Sequence, residues 1–418
     1  MMTKRFAIIG GSIWGNRGAA AMLETTIGRL RELFTDIQFA VFTPYPLKDK
    51  MLVNDTQIEF FDSRPIALIQ YFLQALGGWL YTRFGRKPKF SGAVHALTRS
   101  DILLDIGGIT FADGRFIFLP YNILSIWPSI MFGVPVVKLS QAAGSFRNPI
   151  IRILSKLFLS RCTHFFARGE RTFDFLRELG LDPEKLTLAA DIAFCYKSEY
   201  CLSSENSAAV SQLCSHIEDA AGKGQKIVAI SPSILVLEQM KKRRIDYIQL
   251  FVDLAKKINQ KNVTFVVFPN ASREGSRKTR NNDLHVIELL RDEAEIQLPS
   301  PFYKQFIWVT FDVNTCGIEE IIKRSNVLIT SRFHAMVFGL RLGIPTVVIG
   351  WGHKYREVMR KFGQDIYVFG LETPDIELCK ILDKSEVIAN EIRSALVDEK
   401  ASSNKQFEFL ARSNFEVR

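Results

Sequence analysis

Cysteine is scarce in this chain, and no two cysteines are spaced to act together. Its six, Cys162, Cys195, Cys201, Cys214, Cys316 and Cys379, form no CxxC pair, which argues against a zinc ribbon or a disulfide scaffold. No metal site is expected, and a reducing cytoplasm is the expected location. Low-complexity tracts are also missing. With 47% hydrophobic and 23% charged residues, the 418-residue chain has a globular composition and enough length for about two domains. Two stretches, residues 65–82 and 116–137, lack formal charge and approach the length that spans a bilayer. The second holds Pro120, Pro128 and Pro135 and ends in VPVVKL, so it reads as helix, turn and buried strand. The first ends in aromatic residues and a basic cluster, Arg83, Arg86, Lys87 and Lys89. Two readings fit it: peripheral contact with the inner face of a membrane, or a buried helix with a solvated basic end. The start, MMTKRFAIIGGS, runs from a short apolar stretch into a glycine turn and is expected to form a first strand, not a signal peptide.

What is present begins with charge. The net value of +10, from 54 Lys and Arg against 44 Asp and Glu, suits phosphorylated small molecules, acidic lipid or nucleic acid. No zinc-finger spacing, RNA-binding aromatic signature or heptad array accompanies it, so no nucleic-acid partner is expected.

The first half alternates β-branched runs with helical segments, as in a parallel sheet covered by helices. Strands are expected at residues 6–9, 37–42, 102–105, 134–139, 164–167 and 186–189, with helices at 19–34 and 170–179. A Ser-, Ala- and Gly-rich stretch over residues 196–225 then connects to a second series. Its strands are expected at 227–231, 263–268, 306–310, 327–330 and 346–349, its helices at 247–258, 318–324 and 334–342. The expected fold class is α/β, with two Rossmann-like domains (1–200 and 222–385) facing a cleft and a helical tail (386–418) packing back on the first domain.

Five strand-end turns carry the candidate chemistry. In GGSIWGNRG, Gly11, Asn16 and Arg17 precede a helix whose opening N–H groups favour an anion or a polar sugar group. This is not the dinucleotide fingerprint, because the second strand runs into TPYPLKDK without an acidic residue at its end. In DIGGITFADGR, Asp105, Gly107, Gly108 and Asp113 either orient acceptor hydroxyls or cap turns. KLSQAAGSFRNP adds Gln141, Ser145 and Arg147. In ARGERTF, Arg168 either binds carboxylate or phosphate with its planar fork or pairs on the surface with Glu170 or Asp174. The fifth turn places Ser331, Arg332 and His334 at a strand end and helix start, with Lys354 after the next strand. Of the six histidines, His334 is the one beside an arginine at a strand end, which makes it the acid/base candidate. Two basic runs remain. Residues 241–244 (KKRR) read as a solvated helix end, and the loop 272–282, with Arg273, Arg277, Lys278 and Arg280, reads as a diphosphate contact or a mobile segment.

Taken in order, these segments resemble the polysaccharide pyruvyltransferase family over residues 6–363. The resemblance rests on GNRGAAAML, DILLDIGGITF, the RGE turn at Arg168, the aspartate of LAADIAF, SRFHAMVFGLRLGIPTVVI and the lysine of GWGHKYREV, with SRFHA the most specific. It implies a glycosyltransferase-B-like architecture. It also implies transfer of the enolpyruvyl unit of phosphoenolpyruvate onto a sugar of a surface polysaccharide or its precursor, as in exopolysaccharide synthesis, forming a pyruvate ketal with release of phosphate. Carried onto this chain, Arg168, Ser331, Arg332 and Lys354 bind the donor, and His334 serves as general acid with Arg332 beside it. The acceptor, a sugar that a lipid could carry, would meet Gly11, Asn16, Arg17, Asp105, Gly107, Gly108 and Gln141. The scheme requires no cofactor and no metal. Two other readings stay open: a glycosyltransferase of the same fold that uses a nucleotide sugar, for which Glu357 is the only close ribose-binding candidate, and a non-catalytic ligand-binding protein.

Overall fold

The structure, a computed structural model, describes residues 3–83, 89–258, 262–275, 281–350, 353–370 and 376–413. Arg86, Lys87, Arg277, Lys278, Arg280, Trp351 and Gly352, and the side chains of Arg83 and His353, lie outside the described residues. The chain forms two compact units. Met1–Trp14, Ala19–Leu202 and Lys400–Arg418 make the first, and Gly15–Gly18 with Ser203–Glu399 make the second.

Elements of the first unit are β1 (Lys4–Ile9), α1 (Arg17–Leu33), β2 (Ile37–Thr43), α2 (Pro46–Leu52), β3 (Ile58–Asp62), α3 (Pro65–Arg83), α4 (Gly92–Thr98), β4 (Ile102–Asp105), α5 (Leu119–Leu124), α6 (Trp127–Met131), β5 (Val136–Gln141), α7 (Pro149–Leu159), β6 (His164–Arg168), α8 (Glu170–Leu179) and β7 (Leu186–Ala189). The seven strands pair in parallel in the order β3-β2-β1-β4-β5-β6-β7. Strands covered on both faces need near-continuous apolar runs, and FAII, ILL and VV supply them. One face packs on α1 through Leu23, Ile27 and Leu30; the other packs on α3 through α8, with Leu68, Ile126, Ile151 and Leu176 in one cluster. The strand β3 is absent from the expected set. It sits at the sheet edge and is only partly buried after Ile58, so it lacks the apolar run of a covered strand.

The stretch 116–137 divides into a 3₁₀ turn (Phe116–Phe118), α5, α6 and β5, following its prolines. Among the described residues no helix is long and apolar enough to cross a membrane.

In the second unit, α9 (Ser207–Gly222) leads to β8 (Lys226–Ser231), α10 (Ile234–Lys242), α11 (Tyr247–Ile258), β9 (Val263–Val267), α12 (Leu284–Gln297), α13 (Ser300–Tyr303), β10 (Phe306–Trp308), α14 (Thr315–Lys323), β11 (Val327–Thr330), α15 (Phe333–Arg341), β12 (Thr346–Ile349), α16 (His353–Lys361), β13 (Val368–Phe369), α17 (Leu378–Asp383) and α18 (Ser385–Arg412). Its sheet is parallel in the order β10-β9-β8-β11-β12-β13. The helix expected at 318–324 begins earlier, at Thr315, because the Asn314 side chain accepts from the Gly317 N–H at 2.8 Å and caps it. β13 has two residues, too few for any periodicity to show. The exposed run Lys241, Lys242, Arg243 and Arg244 ends α10 in solvent.

The last part of α18, from Lys400, belongs to the first unit and packs within it. Gln406 Nε2 donates to Ser140 Oγ and to the Ala190 carbonyl, both at 2.9 Å. Phe407 and Leu410 join the cluster over α1, and Phe409 stacks on His164 at 4.4 Å.

Candidate functional site

In both sheets the strand order reverses once, between β1 and β4 and between β8 and β11. Loops leaving neighbouring strands at such a point diverge to opposite faces and open a crevice at the carboxyl ends. The candidate residues gather at these two places.

In the first unit the crevice is walled by glycine. Gly10 has φ +95, and a Cβ there would lie 2.4 Å from the Gly107 nitrogen, so the two turns touch backbone to backbone. Asp105 is buried in an ion pair with Lys138 and accepts from the Gly107 N–H at 3.0 Å. Gln141 donates to the Asp105 carbonyl at 2.9 Å and accepts from the Thr110 hydroxyl at 2.7 Å, tying the ends of β4 and β5 to the loop that follows β4. Asp105 and Gln141 therefore brace the turns. Asp113 does the same one loop away, accepting from the Ser145 hydroxyl at 3.1 Å and the Arg147 N–H at 2.7 Å. Arg168 stands here as well. Its guanidinium donates to Asp191 at 2.6 Å and to the Gly108 carbonyl at 2.8 Å. Asp191 lies twenty-three residues along the chain, so this ion pair is out of reach of the local spacing that pointed to Glu170 or Asp174. A cleft of about 220 Å³ opens beside the turns, lined by Gly10, Gly11, Gly107, Thr110, Arg115 and Asn122 among others.

In the second unit the crevice is walled by charge. Ser331, Arg332 and His334 follow β11. Arg332 occupies the N-cap of α15 and does not cap it with its own side chain; the N-terminal end of a helix favours an anion. The Arg332 guanidinium pairs with Asp283, which is fully buried and also accepts from the Ala271 N–H at 2.9 Å and the Ile234 N–H at 3.1 Å. The Ser331 hydroxyl accepts from Tyr247 at 2.7 Å, and the Ser331 carbonyl accepts from Tyr355 at 3.1 Å. Burial pushes the Tyr355 hydroxyl up to about 12, opposed by the nearby Arg332 charge, so it stays a neutral donor. Lys354 Nζ lies 4.8 Å from the Phe333 ring centroid and 5.3 Å from that of Tyr355, which holds the ammonium over this turn.

Residues 15–18 belong to this second group. The Arg17 N–H donates to the Asn270 carbonyl at 3.1 Å, and its guanidinium forms a buried ion pair with Asp312, which also accepts from the Ser272 hydroxyl. Asn16 accepts from the Gly18 N–H at 3.0 Å and so caps the first turn of α1. A Cβ on Gly18 would lie 2.1 Å from His334 Nδ1, so the missing side chain lets the imidazole rest on that turn. Arg273 packs in the same way on Gly15. Asp283 and Asp312 thus clamp one loop, Asn270–Arg273, between two arginines. Among the described residues, Ser231 Oγ, Asn270 Oδ1 and Arg332 Nε are buried without a hydrogen-bond partner, at the ends of β8, β9 and β11. Finished cores contain few such atoms, and they call for a bound water or ligand.

The structure therefore brings Gly11, Asp105, Gly107, Gly108 and Gln141 together in the first unit. It places Asn16 and Arg17 with Ser331, Arg332, His334 and Lys354 in the second, and Arg168 in the first. Sequence reasoning missed Asp283, Asp312, Lys138, Tyr247 and Tyr355. A lone acidic residue closing a basic loop was the one available signal, at Asp283. No group of His, Cys, Asp and Glu suited to a metal occurs among the described residues.

The polysaccharide pyruvyl transferase family model matches residues 16–353. The amylovoran biosynthesis protein AmsJ of Erwinia amylovora is 18% identical over 96% of this chain and 97% of its own. Among solved structures, the UDP-GlcNAc 2-epimerase of Methanocaldococcus jannaschii covers 98% of this chain and 100% of its own at 13% identity, with a TM-score of 0.61. The glycosyltransferase SnogD of Streptomyces nogalater covers 98% and 100% at 14% identity, with a TM-score of 0.50. At such identities these structures establish the two-domain glycosyltransferase-B fold alone.

Proposed function

Because the chain belongs to the polysaccharide pyruvyl transferase family, we propose that it takes phosphoenolpyruvate as donor and forms a pyruvate ketal on a sugar acceptor at the inner face of a membrane. The observation that carries this reading is the packing of His334 against Gly18 at the N-terminus of α15, beside Arg17 and Arg332, which Asp312 and Asp283 anchor. Such a set suits a small phosphorylated acid.

In this scheme Arg332, Ser331 and Lys354 hold the phosphate and carboxylate, Arg168 adds a donor contact, and His334 delivers a proton to the methylene carbon. The carbon bearing the phosphate gains oxocarbenium character, and cations lower the energy of the departing charge. Two sugar hydroxyls add to that carbon while its bond to the phosphate oxygen breaks. Of the two hydroxyl protons, one balances the proton placed on the new methyl group and the other leaves with phosphate. The glycine-walled cleft of the first unit suits the acceptor. Among the described residues of the second unit, the strand-end crevice carries anchored cations and an imidazole, a set that suits a small phosphorylated acid.

Phosphate release from phosphoenolpyruvate across a panel of acceptor glycans tests the reading, together with thermal stabilisation by the donor. Stabilisation by phosphoenolpyruvate and weaker stabilisation by UDP-sugars is the expected result. Stabilisation by a UDP-sugar with none from phosphoenolpyruvate overturns it.

A further inference from the structure

The exposed side of the α3 to α7 layer carries apolar residues that the core does not use. On α3 they recur at Ile66, Ile69, Leu73, Leu76 and Leu80, from 40% to 73% exposed, as a continuous stripe at spacings of three and four. The 3₁₀ turn adds Phe116, Ile117 and Phe118, with Ile117 83% exposed. α7 adds Ile150 and Ile153, at 53% and 66%. In a parallel sheet every helix that follows a strand starts at the carboxyl edge. The first turn of α3, the 3₁₀ turn and the first turn of α7 therefore crown that edge on one face, since Leu68, Leu119 directly after the 3₁₀ turn, and Ile151 share one core cluster.

Charge is concentrated in the same segment. From Arg64 to Arg161 stand twelve Lys and Arg and three Asp and Glu, +9 of the chain's +10. Arg115 and Arg147, in the loops that leave β4 and β5, and Arg152 and Lys156 on α7 are exposed, whereas Asp101, Asp105 and Asp113 are not. Among the described residues of this segment no exposed acidic group offsets them.

We propose that this face lies on an anionic lipid bilayer, inserting its aliphatic and aromatic residues to the headgroup boundary while the basic residues meet lipid phosphates. Insertion of an apolar edge combined with a polybasic surround is the chemistry of an interfacial protein, and no described helix is suited to crossing. The surface also names the acceptor class. Arg115 and Phe118 belong both to this face and to the lining of the 220 Å³ cleft. The cleft's rim thus sits at the lipid boundary, where a sugar on a lipid carrier enters head first with its phosphates near Arg115. This second step rests on the transferase reading above; the membrane surface does not.

Flotation of the full chain with vesicles tests the surface. Binding is expected to phosphatidylcholine mixed with phosphatidylglycerol, with little to phosphatidylcholine alone, and high salt should release it. The Leu73→Gln, Ile153→Gln double variant and the Arg152→Glu, Lys156→Glu double variant change exposed positions only. Each is expected to weaken partitioning by roughly tenfold or more with an unaltered melting temperature. Failure of the unmodified chain to float with anionic vesicles overturns the proposal, as does undiminished binding by both variants. A dimer in sedimentation velocity that Leu73→Gln dissolves also overturns it, because the face would then pack against a second copy. Transfer to a water-soluble glycan should survive in both variants while transfer to a lipid-linked glycan in vesicles falls; equal loss on both acceptors refutes the acceptor assignment. Vesicle binding without any pyruvyl transfer would leave the surface standing and remove the functional reading.

Discussion

The two crevices share a topology and differ in what lines them. At the β1/β4 reversal, glycine meets glycine, and the cations Lys138 and Arg168 are turned inward onto Asp105 and Asp191. At the β8/β11 reversal, Arg17 and Arg332 are likewise anchored by Asp312 and Asp283, but the turn around them carries His334 and Lys354 on top of a helix start. One crevice offers room and backbone; the other offers fixed charge. A doubly wound sheet decides where a ligand sits, and the strand-end side chains decide which ligand it is.

The largest expected effect falls on the charged crevice. His334→Ala should lower turnover by about 10²–10⁴-fold, the ordinary contribution of a positioned acid, while phosphoenolpyruvate still raises the melting temperature. Phosphate-release kinetics beside a thermal melt measure both, and unchanged turnover would remove His334 from the chemistry.

Next come the buried carboxylates. Asp283→Ala and Asp105→Ala each leave a cation buried without its counter-ion, and each should cost about 3–5 kcal/mol in a urea melt. Only Asp283→Ala should also abolish stabilisation by the donor. Loss of that stabilisation in Asp105→Ala would erase the distinction between the crevices.

The glycines divide the same way on a smaller scale. Gly10→Ala places a methyl against backbone at positive φ and should destabilise the fold by about 1–3 kcal/mol. Gly18→Ala meets the His334 ring instead, a side chain able to move, so the expected loss is in kcat, on the order of 10²-fold, with a smaller change in melting temperature.

The mildest test lies in the first unit away from its crevice. Burial between Phe166 and Phe409 lowers His164 from 6.5 to about 4. The folded chain therefore binds its proton less readily than the unfolded chain. Stability should be full above pH 6.5, fall as pH drops toward 4, and show no further loss from this group below that. His164→Gln should flatten that slope in urea melts across the range.

Much of this was legible in the amino-acid order. Apolar runs such as FAII and VLIT marked covered strands, and their glycine- and arginine-bearing ends marked the ligand edge, because burial on both faces allows little else. β3 escaped because an edge strand need not be apolar throughout, and β13 because two residues have no period. Within the site, SRFHA advertised itself by placing a cation and an imidazole at a helix start. Its supports did not, since Asp283 and Asp312 read as ordinary loop acids until folding buries them.

By itself the sequence determined two parallel α/β sheets and the placement of the candidate glycines, arginines and His334 at strand ends, all properties that follow from local pattern and residue chemistry. Only the tertiary structure decided that Gly18 makes room for His334, that each site arginine is anchored by a distant carboxylate, and that the basic segment shares its surface with unburied apolar residues. These depend on which side chains meet across long separations. Packing and desolvation set those contacts, and no short-range spacing encodes them.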